Sequence, residues 1–454
     1  MRKIKLMALF AAVGAVFSGL FAGDFAIRDL KLDHPEGFYK KGEEIVVTGC
    51  LLKGGKPAPE YKLRVTTKLE SVRAVAKQEF SCGKPFRVTY TGTEPGWVYF
   101  TFQVIGPDGK VVKLPGPKVV QSIKKELVDE IGAMVAPEEI RGTEERPADF
   151  DEFWKAELAK LDAVPMNPRL EKIPSGREGI DLYTVKLDTG LDWPVTAYLA
   201  IPTGAEPKSM PIYLTFLDGV LGDAYRSAVL NMAERGAVAM ISTWHGYDVN
   251  RDKKYYKEVG GKLKSWETAK GGREAFHQHK IFLRAYRAAQ YLKTRPEWNG
   301  KDFLVQGGSL AGAQAAAVAA LDKDVTIAFI HTPSSCGYNA DLAGRKSAHP
   351  YHWVPKSWFT PEIRQAIPYS DVIHLAKNIR CESYFCTGFT DEMCTPTGVY
   401  AAFNNVPGST RKVMTTNPHT GHYAMTKDYR AQRRLEEFFR NLYGPKGFRG
   451  RGRP

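Results

Sequence analysis

The segment Phe303-Leu-Val-Gln-Gly-Gly-Ser-Leu-Ala-Gly312 constrains this chain more than any other. An apolar strand-like run enters Gly307-Gly308-Ser309, and an alanine-rich helical run leaves it at once. A strand that turns into a helix this sharply strains the turn residue and stands its side chain at the end of the strand. Residues two positions to either side must be small, because the backbone there passes close to itself. Gly307 and Ala311 meet that demand. The N-terminus of the following helix places partial positive charge beside the Ser309 hydroxyl. Ser309 is therefore a candidate nucleophile. The N–H of Leu310, the next residue, is a candidate donor to a developing oxyanion.

The surrounding pattern fits that turn. Runs at 182–187, 195–201, 211–217, 237–242, 303–306, 325–331, 383–388 and 412–415 read as strands. Helical periodicity marks 149–163, 225–234, 274–294, 310–321 and 428–442, with Asp149 as the expected N-cap of the first. Such alternation over about 300 residues implies a mainly parallel sheet covered on both faces. Residues 23–120 differ. β-branched runs at 44–49, 62–67, 86–90 and 97–104 are separated by Gly/Pro/Asp turns, the spacing of a small all-β, Ig-like sandwich. A helical stretch is expected from 119 to about 134, within a linker at 121–146 that leads to the α/β region at 147–443.

The ends carry separate information. Arg2, Lys3 and Lys5, the apolar run 6–21, then Ala22 and Gly23 follow the order of a secretory signal peptide over residues 1–22, with a secreted or periplasmic destination. That run is short for a membrane span, which needs about 20 residues, so no integral membrane segment is expected. The formal charge of +14 falls partly in the basic tail 444–454, read as disordered. No nucleic-acid-binding motif accompanies it, and no nucleic-acid partner is expected. Of the six cysteines, Cys50 and Cys82 lie in the β region and could bridge it. Their spacing, with that of Cys336, Cys381, Cys386 and Cys394, matches no zinc site. His349 and His352 have no nearby carboxylate or thiol in their loop, so neither a metal nor another cofactor is expected.

A serine nucleophile needs a base, and the base an orienting carboxylate. Asp391 follows the strand 383–388 and is the candidate acid, with Glu392 its competitor and a helix N-cap its alternative role. His422, after Gly421 in the loop before the last helix, is the candidate base, with His419 its competitor. A second oxyanion donor is expected from Val220, at the end of Phe216-Leu-Asp-Gly-Val220. Trp244, Tyr247, Trp353, Trp358 and Tyr423 are candidates to stack on sugar rings.

Several of these motifs, in this order, resemble the acetyl xylan esterase and cephalosporin C deacetylase family, carbohydrate esterase family 7. The similar segments are Pro147-Ala-Asp-Phe-Asp-Glu-Phe-Trp154, Arg295-Pro-Glu, Gly307-Gly-Ser-Leu-Ala-Gly312, Tyr369-Ser-Asp371 and Ala376-Lys-Asn-Ile-Arg-Cys381. Gly388-Phe-Thr-Asp391-Glu-Met-Cys-Thr-Pro396 with Tyr400-Ala-Ala-Phe-Asn404, and Gly421-His422, complete the set. The resemblance covers 147 to 443 and implies an α/β-hydrolase fold and a metal-independent serine esterase acting on acetylated carbohydrate. It also implies self-association as a homo-oligomer, against which the extra β region stands. Three segments depart from the family. Its Arg-Gly-Gln-Gly is here Thr243-Trp-His-Gly-Tyr247, its His-Gly-Tyr is Asp218-Gly-Val220, and the Glu after its histidine is Tyr423. Two other readings stay open. One is a hydrolase of other small esters or peptides. The other is a non-catalytic, carbohydrate-binding protein on the same scaffold, which the β region favours.

Overall fold

The computed structural model describes residues 24–114, 126–219, 221–260, 272–349, 356–422, 428–445 and 447–448. The expected signal peptide, Val220, Trp353, Tyr423 and most of the basic tail lie outside the described residues. The chain divides into two compact units, Met1–Glu139 with Asn417–Thr420, and Ile140–Thr416 with Gly421–Pro454.

The described part of the first unit is built of strands, closed by a short 3-10 turn at Pro137–Glu139. Its strands are β1 (Phe25–Leu32), β2 (Phe38–Tyr39), β3 (Glu44–Lys53), β4 (Lys62–Leu69), β5 (Arg73–Ser81), β6 (Pro85–Thr91), β7 (Gly96–Ile105) and β8 (Asp129–Val135). They form two sheets, ordered β1-β3-β6 and β2-β8-β7-β4-β5. One apolar cluster, including Val47, Phe86, Leu63, Phe102 and Ile131, draws on both sheets, so the unit is a sandwich. β8 corrects the expected helix, since residues 129–135 pair antiparallel with β7. The Gly132 N–H also donates to the Pro418 carbonyl at 2.9 Å, within the same unit. Cys50 and Cys82 are free thiols. Cys50 lies on the half-exposed face of β3 and Cys82 is buried.

The second unit starts with α1 (Phe150–Asp162), β9 (Arg169–Ile173), β10 (Ile180–Leu187), β11 (Val195–Pro202) and β12 (Met210–Phe216). Next come α2 (Arg226–Glu234), β13 (Val238–Ser242), α3 (Lys253–Gly260), α4 (His277–Lys293), β14 (Trp298–Gly308), α5 (Leu310–Leu321) and β15 (Ile327–His331). α6 (Pro361–Ala366), α7 (Val372–Leu375), β16 (Glu382–Gly388), α8 (Pro396–Asn405), β17 (Lys412–Asn417) and α9 (Tyr429–Tyr443) complete it. The sheet has nine strands, ordered β17-β16-β15-β14-β12-β13-β11-β10-β9. Neighbours from β13 through β12, β14 and β15 to β16 are parallel, and β11, β10 and β9 add an antiparallel flank.

Tyr198, Tyr213, Leu304, Phe329 and Tyr384 share one face with Val229 of α2 and Phe439 of α9. The alternating residues Leu214, Phe303, Val305 and Ile330 are also fully buried, and α4 and α5 lie against these strands. Both faces are therefore covered, as in the α/β-hydrolase fold, and the carboxyl ends of the parallel strands are left to carry loops. Asp149 stands at the N-terminus of α1 but does not cap it. Its carboxylate instead takes hydrogen bonds from Arg273 Nη1 (2.6 Å) and the Tyr369 hydroxyl.

Candidate active site

Ser309 lies between the last residue of β14 and the first of α5. Its φ of +57° and ψ of −122° are sterically unfavourable for an L-residue, a strain of about 1–3 kcal/mol that the surroundings must hold. Its N–H donates to the His331 carbonyl, and its own carbonyl accepts from Ala313 and Ser334, all at 3.0 Å. A Cβ on Gly307 would come within 2.1 Å of the Ala311 carbonyl oxygen, and one on Gly312 within 2.7 Å of the His331 carbonyl oxygen. The small residues are thus a steric requirement of the turn. Leu310 opens α5, so its N–H belongs to the helix's first turn, which has no intrahelical acceptor.

Asp391 follows β16 and is fully buried. Its Oδ1 accepts from the N–H groups of Met393 (2.8 Å) and Cys394 (2.9 Å). Its Oδ2 accepts from His422 Nδ1 at 2.8 Å. The cap of α8 is Thr395, not Asp391. Glu392 sits 4.0 Å from Lys346 instead. His419 belongs to the segment grouped with the first unit. The carboxylate–imidazole pair is therefore Asp391 with His422. The bond fixes the imidazole proton on Nδ1 and leaves Nε2 as the basic nitrogen. Burial disfavours the charged imidazolium, but the Asp391 carboxylate outweighs it and holds His422 above the ordinary histidine range. Ser309, Asp391 and His422 all follow carboxyl ends of strands in one sheet.

Residues that sequence reasoning passed over surround this pair. Cys394 is buried, its thiol bonds to His422, and burial pushes that thiol up to about 11. His349 is close enough to feel both partners. Burial holds it down to about 4, with the His422 charge adding and Asp391 opposing, so it stays neutral. Asp371 accepts from the N–H groups of Gly337 (2.9 Å), Tyr338 (2.9 Å) and Ile373 (2.8 Å). It thereby fixes the loop after β15 whose Ser334 bonds the Ser309 carbonyl. Asp371 and Cys394 each lay in a segment already singled out, Tyr369-Ser-Asp371 and Gly388-Phe-Thr-Asp391-Glu-Met-Cys-Thr-Pro396, whereas His349 had no such signal.

The loop after β13 has a structural task. His245 Nδ1 accepts the Tyr247 N–H at 3.0 Å, so Nε2 carries the proton and donates to the Gly222 carbonyl at 3.1 Å. Burial lowers His245 to about 4 and keeps it neutral. Trp244 corrects one expectation. It is only 5% exposed, its ring packs against His245 and His277, and its carbonyl accepts from buried Arg284 at 2.7 Å. It is a packing residue rather than a sugar platform. Tyr247 is half-buried, 5.9 Å from the Trp193 ring, and Trp358 is half-buried. Val220 and Tyr423, the other expected oxyanion and substrate contacts, lie outside the described residues.

Residues 135–438 match the family model described as acetyl xylan esterase (AXE1). Acetyl esterase Axe7A of Xylanibacter ruminicola is 26% identical over 291 residues, covering 62% of this chain and 65% of that protein. The chain thus spans slightly less than two thirds of that relative's length. Among solved structures, an acetyl xylan esterase from Paenibacillus sp. R4 aligns with TM-score 0.56 at 20% identity, over 66% of this chain and 98% of its own. Acetyl xylan esterase 1 from Thermoanaerobacterium sp. JW/SL YS485 aligns with TM-score 0.56 at 22% identity, over 68% and 98%. These two likenesses bear on the fold.

Proposed function

The chain belongs to the acetyl xylan esterase family, and from that premise we propose that it is a secreted or periplasmic serine esterase that removes O-acetyl groups from polysaccharide or oligosaccharide. The observation that carries the proposal is the buried Asp391–His422 pair, on the same sheet edge as a strained Ser309. In this reading Ser309 Oγ attacks the acetyl carbonyl carbon while His422 Nε2 takes its proton. Asp391 keeps the Nδ1 proton and stabilises the imidazolium. The N–H of Leu310, with that of Val220, receives the oxyanion. The C–O bond to the sugar breaks, and His422 returns the proton to the leaving hydroxyl. Water, deprotonated by His422, then attacks the acetyl-enzyme. Acetate leaves and Ser309 is reprotonated.

No metal enters this cycle. Export rests on the basic, apolar and small order of residues 1–23. Tyr247 and Tyr423 are the proposed sugar contacts. Self-association as a homo-oligomer belongs to the same proposal and is read by light scattering. The test is hydrolysis of 4-nitrophenyl acetate and of acetylated xylan by wild type and Ser309→Ala. Both should be cleaved by wild type and neither by the variant. Cleavage of the small ester alone moves the natural ester to another acyl carbohydrate. Cleavage of neither by wild type removes the esterase reading, and glycan-array binding then tests the non-catalytic alternative.

A further inference from the structure

Cys394 has no task in the chemistry above, yet its thiol bonds the imidazole of His422. Its own N–H holds the carboxylate that pairs with the same imidazole. One ligand atom from each of Asp391, Cys394 and His422 lies within 4.8 Å of the other two. Sulfur, imidazole nitrogen and carboxylate oxygen together are a donor set for a borderline-soft divalent cation. A tetrahedral zinc ion has ligand distances of about 2.0–2.3 Å, which separates its donors by roughly 3–4 Å. The Asp391–His422 contact of 2.8 Å would have to open slightly.

We propose that Asp391, Cys394 and His422 form an inhibitory binding site for a thiophilic divalent cation of the Zn²⁺ or Cd²⁺ type. The functional consequence rests on the serine-esterase reading. The cation takes the place of the Nδ1 proton between His422 and Asp391 and binds the sulfur of Cys394. The thiol proton leaves to solvent. With the cation on Nδ1 the imidazole is neutral and its one proton sits on Nε2, any second proton leaving to solvent. The nitrogen that must accept the Ser309 proton then carries one already, and the base is lost without any change at Ser309. The site regulates the esterase by setting the tautomer of its histidine, and a chelator reverses it.

The probe is Cd²⁺ added to the full chain, followed by thiolate-to-metal charge-transfer absorption and by 4-nitrophenyl acetate hydrolysis. Each protein's rate is referred to its own metal-free rate. Wild type should show the absorption together with at least a tenfold loss of activity, both reversed by EDTA. Cys394→Ala should lose that absorption and need at least tenfold more Cd²⁺ for half-inhibition. Cys394→Ser, which keeps the volume and an oxygen donor, should fall between them and guards against misfolding of the alanine variant. Equal inhibition of wild type and both variants overturns the proposal, as does absorption that survives in both, because the metal is then bound elsewhere. Absence of both absorption and inhibition in wild type also overturns it. If the metal-free protein hydrolyses no ester but the Cys394-dependent absorption appears, the metal site stands and the esterase reading fails.

Discussion

The two units solve the same problem, burying strands, in opposite ways. Along β3 of the sandwich, buried and half-exposed residues alternate from Ile45 to Leu51. Along β11, β12 and β13 every residue is buried. A strand with one wet face can leave its polar groups to water, whereas a strand covered on both faces cannot. Buried charge follows the same division. At the carboxyl edge of the nine-stranded sheet, Asp371, Asp391 and Asp428 are at most 2% exposed, and each accepts hydrogen bonds from at least two backbone N–H groups. In the sandwich, half-buried Asp129 takes one, from its neighbour Glu130. With Glu157 on α1 and Asp322 after α5 also buried, the lesson is that the doubly covered sheet gathers irregular backbone and three desolvated carboxylates at its carboxyl edge. There they become available for chemistry.

The largest expected effect separates the buried acid Asp391 from the half-buried acid Asp129. Asp391→Asn should lower kcat on 4-nitrophenyl acetate by about 10³–10⁴-fold, because the amide no longer fixes the His422 proton on Nδ1. Asp129→Asn should leave kcat within about twofold, as a substitution away from any site does. Parallel losses in the two variants would end the distinction. Glycines sharpen the comparison next. Gly307→Val places a Cβ 2.1 Å from the rigid Ala311 carbonyl oxygen. The turn must distort, and kcat should fall about 100-fold through misplacement of Ser309, with a clear loss of Tm. Gly55 in the sandwich has φ +77° and open space around it. Gly55→Ala should cost only about 1–2 kcal/mol in denaturant unfolding, the price of a left-handed residue with a Cβ, and should leave kcat alone.

Legibility follows the same physics. The apolar strands and the helices between them could be read because burial on both faces writes itself into long apolar runs, and α5 falls on Leu310–Leu321 as expected. β9, Arg-Leu-Glu-Lys-Ile, has four of its five residues exposed at the sheet's edge, so it carries no such signal. β8 is the instructive error. Its last five residues are all buried, and a short apolar run without alternation cannot be told from a helix by period. Ser309, Asp391 and His422 were legible because each is tied to the end of an element. His349 was not, since its place depends on packing between distant segments, and the thiol of Cys394 meets His422 only through the fold although its N–H bonds nearby Asp391. Trp244 shows the reverse, an aromatic in a loop whose sequence says nothing of its burial.

The smallest effect tests whether the acid of the sandwich is desolvated at all. Burial lifts the Asp129 carboxyl from 3.8 to about 7, with the Glu130 N–H opposing and the Glu130 charge adding. The folded state therefore holds a proton on Asp129 at pH values where the unfolded chain has released it. Its contribution to stability is complete below the unfolded value of 3.8 and is lost as pH rises through about 7. Asp371 is lifted in the same direction, chiefly by burial, also to about 7, so wild-type Tm should fall between about pH 4 and pH 7. Asp129→Asn keeps an oxygen for the Glu130 N–H and cannot titrate. Its Tm should fall less than that of wild type over the same interval, by a few degrees at most, with the difference confined to that window. Identical slopes would mean that water reaches Asp129 as freely as any surface carboxylate.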